Sequence, residues 1–286
     1  MSTFAQILFN GVSYGMVLFL IASGMSMVMG IMGITNMAHG AIYMVGAYVG
    51  WTVSVQFGLN FWLGALLGGL AGGVLGLGME RGFLRRFYKQ PNEQVLLTFG
   101  FVYIITNLCI WVWGGRARLQ FTDPALDTTI NVGGLSFAVV RVVIILVGLA
   151  LAVLLWWIQD KTKIGATVRS GMDDKEMAAG LGINLDVVQM LVFFISSFIG
   201  GFAGVMGAQL LGVNSSMGND MFLLALIVII VGGVGCVQGS LLGGLLIGLV
   251  DAFGKALFPE FAMFSMYLAM VLVLIIRPKG LLGRGI

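Results

Sequence analysis

Long apolar runs alternate with short polar clusters along this chain, and their spacing predicts a bundle of membrane-crossing helices. No charged residue occurs before Glu80. The apolar stretch from Phe4 to Met79 is too long for one crossing; at about 20 residues per span it holds about three. Asn36, His39, and Asn60 with Gly58 mark the expected breaks. Beyond Met79 the charges come in clusters: Glu80 to Glu93, Arg116 to Asp127, Asp160 to Asp186, and Arg277 to Arg284. Between them lie apolar segments near 95–115, 137–158, 189–211, 220–234, 240–257 and 264–276. The expected fold is an all-α polytopic membrane protein. It has about eight to nine transmembrane segments, some short enough to be broken or re-entrant half-helices, in a single transmembrane domain over 1–286.

Composition narrows the function classes. Of 286 residues, 59% are hydrophobic and only 9% charged, against about 25% charged in an ordinary soluble domain; mean hydropathy is +1.04. A soluble fold of this length cannot hide that much apolar surface, so a soluble enzyme and a nucleic-acid binder are excluded and the lipid bilayer is the expected surrounding. The net charge of +3 reads as basic cytoplasmic loops. Cys109 and Cys236 lie far apart in apolar runs, without metal-ligand spacing, and are expected to be small buried hydrophobes.

Orientation follows from basic residues in short loops. The 80–93 loop, the 160–186 loop and the tail are Lys/Arg-rich, and even numbers of segments separate them. The N-terminus is therefore expected outside (periplasmic) and the C-terminus in the cytoplasm of a bacterial inner membrane, with the 116–136 loop outside; Arg116 and Arg118 there run against the rule. The N-terminus lacks the basic region of a cleaved signal, so the first helix is expected to be kept.

Glycines recur at a spacing of four: Gly11/Gly15, Gly46/Gly50, Gly64/Gly68, Gly69/Gly73, Gly72/Gly76, Gly200/Gly204 and Gly244/Gly248. Two missing side chains on one helix face let backbones approach closely; packing within one subunit and a moving or dimer seam both fit. Gly232, Gly233, Gly235 and Gly239, with Gln238 and Ser240, interrupt an apolar run at an expected cytoplasmic end. Gly30, Gly33, Asn36, His39 and Gly40 form a parallel interruption, which raises the question of an internal repeat. Irregular backbone at membrane depth survives only inside protein or beside a cavity.

His39 is the sole histidine, open to readings as a hydrogen-bonded helix-start residue, a gate lining, or a proton or metal site. Asn36 is placed to cap the following helix. Asp251, the acidic residue well inside an apolar segment, has Lys255 at i+4, the favourable order for an ion pair; that pairing weakens an ion-coupled carrier, which needs a free midplane carboxylate. No HExxH, GxSxG or GxxxxGK[ST] string occurs. The chain is therefore expected to be no enzyme and to hold no cofactor. If ATP and Mg are used, another chain binds them.

The polar stretch 160–186 is expected to form two short helices, the second capped by Asp173 or Asp174, carrying Glu176, Ala178 and Ala179, and stopped at Gly180–Gly182. A docking knob and a solvated connector both fit it. In this stretch Glu176, Ala178, Ala179 and Gly182 approximate the coupling segment of ATP-binding-cassette importer permeases. Thr162-x-x-Gly165-x-x-x-Arg169, then Asp174 and Ala178 or Ala179, then Gly182-Ile183-Asn184, resembles the branched-chain amino-acid permease family. So do the segment from Asn36 through His39, Gly40 and Tyr43 to Tyr48, the glycines from Gly232 to Gly243, and Arg277-Pro278-Lys279-Gly280-Leu281. The resemblance runs end to end and is nearest to the LivH type.

That resemblance implies a permease subunit beside a LivM-like second permease, two LivG/LivF-like cytoplasmic ATPases that bind ATP and Mg, and a periplasmic or lipid-tethered binding protein. It implies alternating access for branched-chain or related amino acids. Within the family, urea, amides, aromatic acids and, in a related branch, sugars remain alternatives, and an ion-coupled carrier or channel is the competing class. Gly165, Arg169, Asp174, Glu176, Ala178, Ala179, Gly182, Ile183 and Asn184 are the implied ATPase contacts. Asn36, His39, Gly40, Tyr43, Gly235, Gln238, Gly239 and Ser240 are the candidate pathway or gate residues.

Overall fold

A computed structural model describes residues 2–33, 35–87, 90–132, 135–162, 165–167, 180 and 184–283. Its long helices are α1 (Ser2–Met32), α2 (His39–Trp51), α3 (Phe61–Gly82), α4 (Pro91–Trp113), α5 (Val139–Lys161), α6 (Leu185–Leu211), α7 (Met217–Gly232), α8 (Val237–Leu257) and α9 (Ala262–Ile276). A π-helical turn, Thr52–Gln56, extends α2. Six of the helices are long and apolar enough to cross a membrane, and α7 and α9 are shorter apolar helices. The expected apolar segments are all helical.

Local sequence sets the helix ends. Asn60 Oδ1 accepts from Trp62 N at 2.8 Å to start α3. Pro91, whose missing N–H costs nothing at a helix start, opens α4. Asn184 Oδ1 accepts from Val187 N at 3.3 Å to start α6, and Cys236 Sγ accepts from Gly239 N at 3.3 Å to start α8. Cys236 is thus a half-buried cap, whereas Cys109 is buried as expected.

Helix α1 runs through the centre, packed mainly on α8 and α6; α6 packs in turn on α3 and α2. The glycine pairs are the seams of this packing. A Cβ on Gly15 would lie 2.7 Å from the Gly244 carbonyl oxygen, and one on Gly68 equally close to that of Gly46. Gly72 meets the Ser197 carbonyl oxygen at 2.6 Å, while Gly69 and Gly73 face the Phe198 and Phe194 rings. These pairs therefore close contacts within the subunit. Helices α4 and α5 present much of their apolar surface outward, including Trp111, Ile104, Val153 and Trp157.

The 116–136 stretch, expected as a polar loop, is more structured than its composition suggests. Residues Thr129–Val132 (β1) and Leu135–Ala138 (β2) pair as an antiparallel hairpin that leads into α5. Before it, Arg118 bridges to Val213 and lies 3.7 Å from the Trp51 ring centroid. Gln120 donates to the Leu210 carbonyl, and Thr122 to Gln209 Oε1 at 2.9 Å. Arg118, which opposed the orientation rule, is thus held by an aromatic face and a backbone bridge.

Candidate functional site

The first break begins where Gly33, at φ 71°, ends α1. Asn36 is not the helix cap it was expected to be. Its Oδ1 accepts from Ala38 N at 3.1 Å, a turn upstream of the helix, and Ala38 occupies the cap position without a side-chain bond. The Met37 amide donates to Thr98 Oγ1 at 3.3 Å, so α4 supplies a partner that the broken backbone lacks.

His39 opens α2 and is fully buried. Its Nε2 lies 3.2 Å from the Ile21 carbonyl oxygen; since a carbonyl only accepts, Nε2 carries the proton. Cβ atoms on Gly24 and Gly200 would come within 3.3 and 3.0 Å of the ring, so His39 is wedged between α1 and α6. The geometry is that of a hydrogen-bonded anchor at a helix start. His39 Nδ1, Asn36 Nδ2 and Tyr43 Oη are buried without hydrogen-bond partners. Gly40 packs on Gly218 of α7, and Tyr43 fills the space left by Gly207.

The second break, 233–236, is covered from three sides. Gly235 N donates to Ser26 Oγ of α1 at 3.0 Å, and Gln159 Nε2 of α5 reaches the Gly235 carbonyl at 3.5 Å. The tail returns here: Leu281 N and Leu282 N donate to the Val231 and Gly232 carbonyls at 2.8 and 3.0 Å. The carbonyls at the end of α7 would otherwise be unpaired. Gly233 turns at φ 108°, a left-handed conformation suited to glycine, with the tail backbone against it. Ser240 Oγ donates to the Cys236 carbonyl at 3.1 Å; Gly239 is buried and Gln238 is exposed. The structure therefore groups Asn36, His39, Gly40 and Tyr43 at one break and Gly235, Gln238, Gly239 and Ser240 at the other, with α1 touching both.

Of the implied coupling residues, Arg169, Asp174, Glu176, Ala178, Ala179, Gly182 and Ile183 lie outside the described residues. The two that frame the segment are placed. Gly165 is buried against the Ile158 and Gln159 carbonyls at the end of α5, and Asn184 caps α6. Next to Asn184, Asp186 pairs with Arg85 from the turn after α3. Gln159 thus links the helix entering the segment to the second break.

Asp251 and Lys255 pair at 2.6 Å as expected, with the carboxylate buried and the ammonium exposed. Asp220 is a second carboxylate on an apolar helix, but it is exposed. Asp220, at the first position of the apolar segment near 220–234, sits in the first turn of α7, which packs beside the start of α2. The signal that could have revealed it is the shortness of α7, 16 residues, preceded by Asn214-Ser215-Ser216.

Comparisons with known proteins give a consistent result. The family described as branched-chain amino acid transport system / permease component matches residues 7–276. The high-affinity branched-chain amino acid transport system permease protein LivH of Escherichia coli K12 is 31% identical, covering 98% of this chain and 96% of that protein. BraD of Pseudomonas aeruginosa, described in the same terms, is 27% identical over 98% of this chain and 96% of its own. LivM of E. coli K12 is 28% identical over 93% of this chain and 68% of its own. Among solved structures, PsaBC from Streptococcus pneumoniae in complex with Fab matches with a TM-score of 0.54 at 12% identity, covering 94% of this chain and 90% of that one. That likeness concerns the fold alone.

Proposed function

This chain belongs to the family of branched-chain amino acid transport permease components, and on that premise we propose that it is one transmembrane subunit of an ATP-driven importer for branched-chain or related amino acids. The observation that carries the reading is the end-to-end relationship to LivH. The family is a transport permease family, and a multi-pass inner-membrane location follows from it and from the apolar helices.

The partners are proposals of the same reading. LivH and LivM are two permease proteins of one named system in one strain, and this chain resembles both; that supports a second, LivM-like permease beside it. ATP and Mg belong to two cytoplasmic ATPases, and substrate is delivered by a binding protein. Residues 165–184 contact an ATPase. Support comes from the anchoring of that segment to the ends of α5 and α6, and from the Gln159 link to the second break.

The test is reconstitution of the chain with a second permease, two ATPases and a binding protein from the same source. Leucine uptake should require ATP and the binding protein, and should vanish when this chain is omitted. Uptake that ignores ATP but follows a sodium or proton gradient would replace the reading with an ion-coupled carrier.

Orientation is proposed from the three basic clusters, with the N-terminus periplasmic and the C-terminus cytoplasmic. A reporter that fluoresces only in the cytoplasm should be bright when fused after the C-terminus and dark when inserted at Asp127. The reverse pattern inverts the topology.

A further inference from the structure

The first turn of α7 places exposed polar side chains deep in the bilayer. Gly218 packs on Gly40, with 3.0 Å from a Cβ on Gly218 to the Gly40 carbonyl oxygen. The neighbouring His39 bonds to Ile21 of α1 and is flanked by Gly200 of α6. Ile21 is 11 residues from the nearer end of α1, and Gly200 is 11 from that of α6. At about 1.5 Å per residue that is roughly 16 Å from either helix end, the half-thickness of a hydrocarbon core about 30 Å thick.

At this depth Ser216, Asn219 and Asp220 are exposed. Ser216 Oγ lies 3.3 Å from the Asp220 carboxylate and 2.9 Å from Asn214 Oδ1, the nearer acceptor for its single hydrogen, and among the described residues no basic side chain forms a salt bridge with Asp220. A carboxylate at such depth does not face acyl chains; it faces a water-filled cavity or a pathway. We propose that the 216–220 turn faces the aqueous path through the importer, and that Asp220 receives the ammonium end of a passing zwitterionic solute. Asn219 and Ser216 flank it as neutral hydrogen-bonding groups. The assignment to an ammonium rests on the amino-acid importer reading; the aqueous exposure does not.

Two measurements separate these parts. In a Cys109→Ala, Cys236→Ser background, which keeps a side-chain acceptor at the start of α8, Asn219→Cys in the assembled complex should react with a permanently charged, membrane-impermeant thiol reagent. Ile104→Cys, exposed in the middle of α4, should not. If Asn219→Cys is as unreactive as Ile104→Cys, or cross-links to the second permease instead, the path assignment is overturned.

For leucine uptake, Asp220→Asn should be slower by about 10-fold or more, the scale of one hydrogen bond to a charged group. Asp220→Glu should retain most activity, and Asn219→Cys labelling should persist in the Asp220→Asn protein. Wild-type uptake by Asp220→Asn overturns the ammonium role alone. A wild-type complex that imports other solutes but no amino acid fails the functional reading while leaving the thiol result intact.

Discussion

Replacing Gly201 with valine is expected to prevent assembly of the helix bundle rather than to tune transport. Gly201 of α6 stands between α2 and α3: its backbone faces Gly46 on one side, and its own Cβ position faces the Gly68 carbonyl and the Gly72 backbone on the other. Backbone atoms cannot rotate away as a side chain can. Overpacking a core typically costs about 1–3 kcal/mol. A β-branched side chain pressed against backbone should reach the top of that range or exceed it, against a total stability of about 5–15 kcal/mol. The measurement is the fraction of protein eluting as a single sharp species after detergent extraction. Gly78→Val is the matched control, because a Cβ there meets nothing within 4 Å. It should elute like wild type while Gly201→Val aggregates. Equal behaviour of the two would show that the α2–α6–α3 seam tolerates separation.

The second large effect is expected at Ala179, in the segment proposed to contact an ATPase. Arginine there overfills a close contact at about 1–3 kcal/mol, which at about 1.4 kcal/mol per decade corresponds to roughly 5- to 150-fold in ATPase affinity. The Ala179→Arg permease should insert and purify normally, while the ATPases co-purify poorly or hydrolyse ATP without uptake. Gly165 against α5, the Gln159–Gly235 contact and the tail bonds to Val231 and Gly232 form the route by which movement at that segment would reach α7 and α8. Retention of both co-purification and uptake at wild-type levels would remove 165–184 from the coupling role.

These two expectations differ in where they come from. The small residues around Ala179 were legible as a motif, because the segment proposed to dock an ATPase is local in sequence. The role of Gly201 was legible only as half of a general tendency, since it does not belong to any of the four-spaced pairs noted along the chain. Its partners Gly46 and Gly68 lie more than a hundred residues away, and spacing along one helix carries no information about which other helix fills the gap.

Much of the framework follows from the chain alone. Apolar run lengths and charge clusters determined the helical segments, because the bilayer requires each backbone group to be paired within its own helix. The Asp251–Lys255 pair was readable because an i,i+4 contact is built into helix geometry. Tertiary structure decided what depended on contacts between distant segments. Asn36 became a turn residue because Thr98 of α4 pairs the Met37 amide. Arg118 settled on Trp51, and the loop around it folded onto the C-terminal end of α6. The tail capped α7. Asp220, which sequence placed at a segment's edge, was carried to the depth of His39, because depth is set by which helices meet and a hydropathy pattern records only where an apolar run begins.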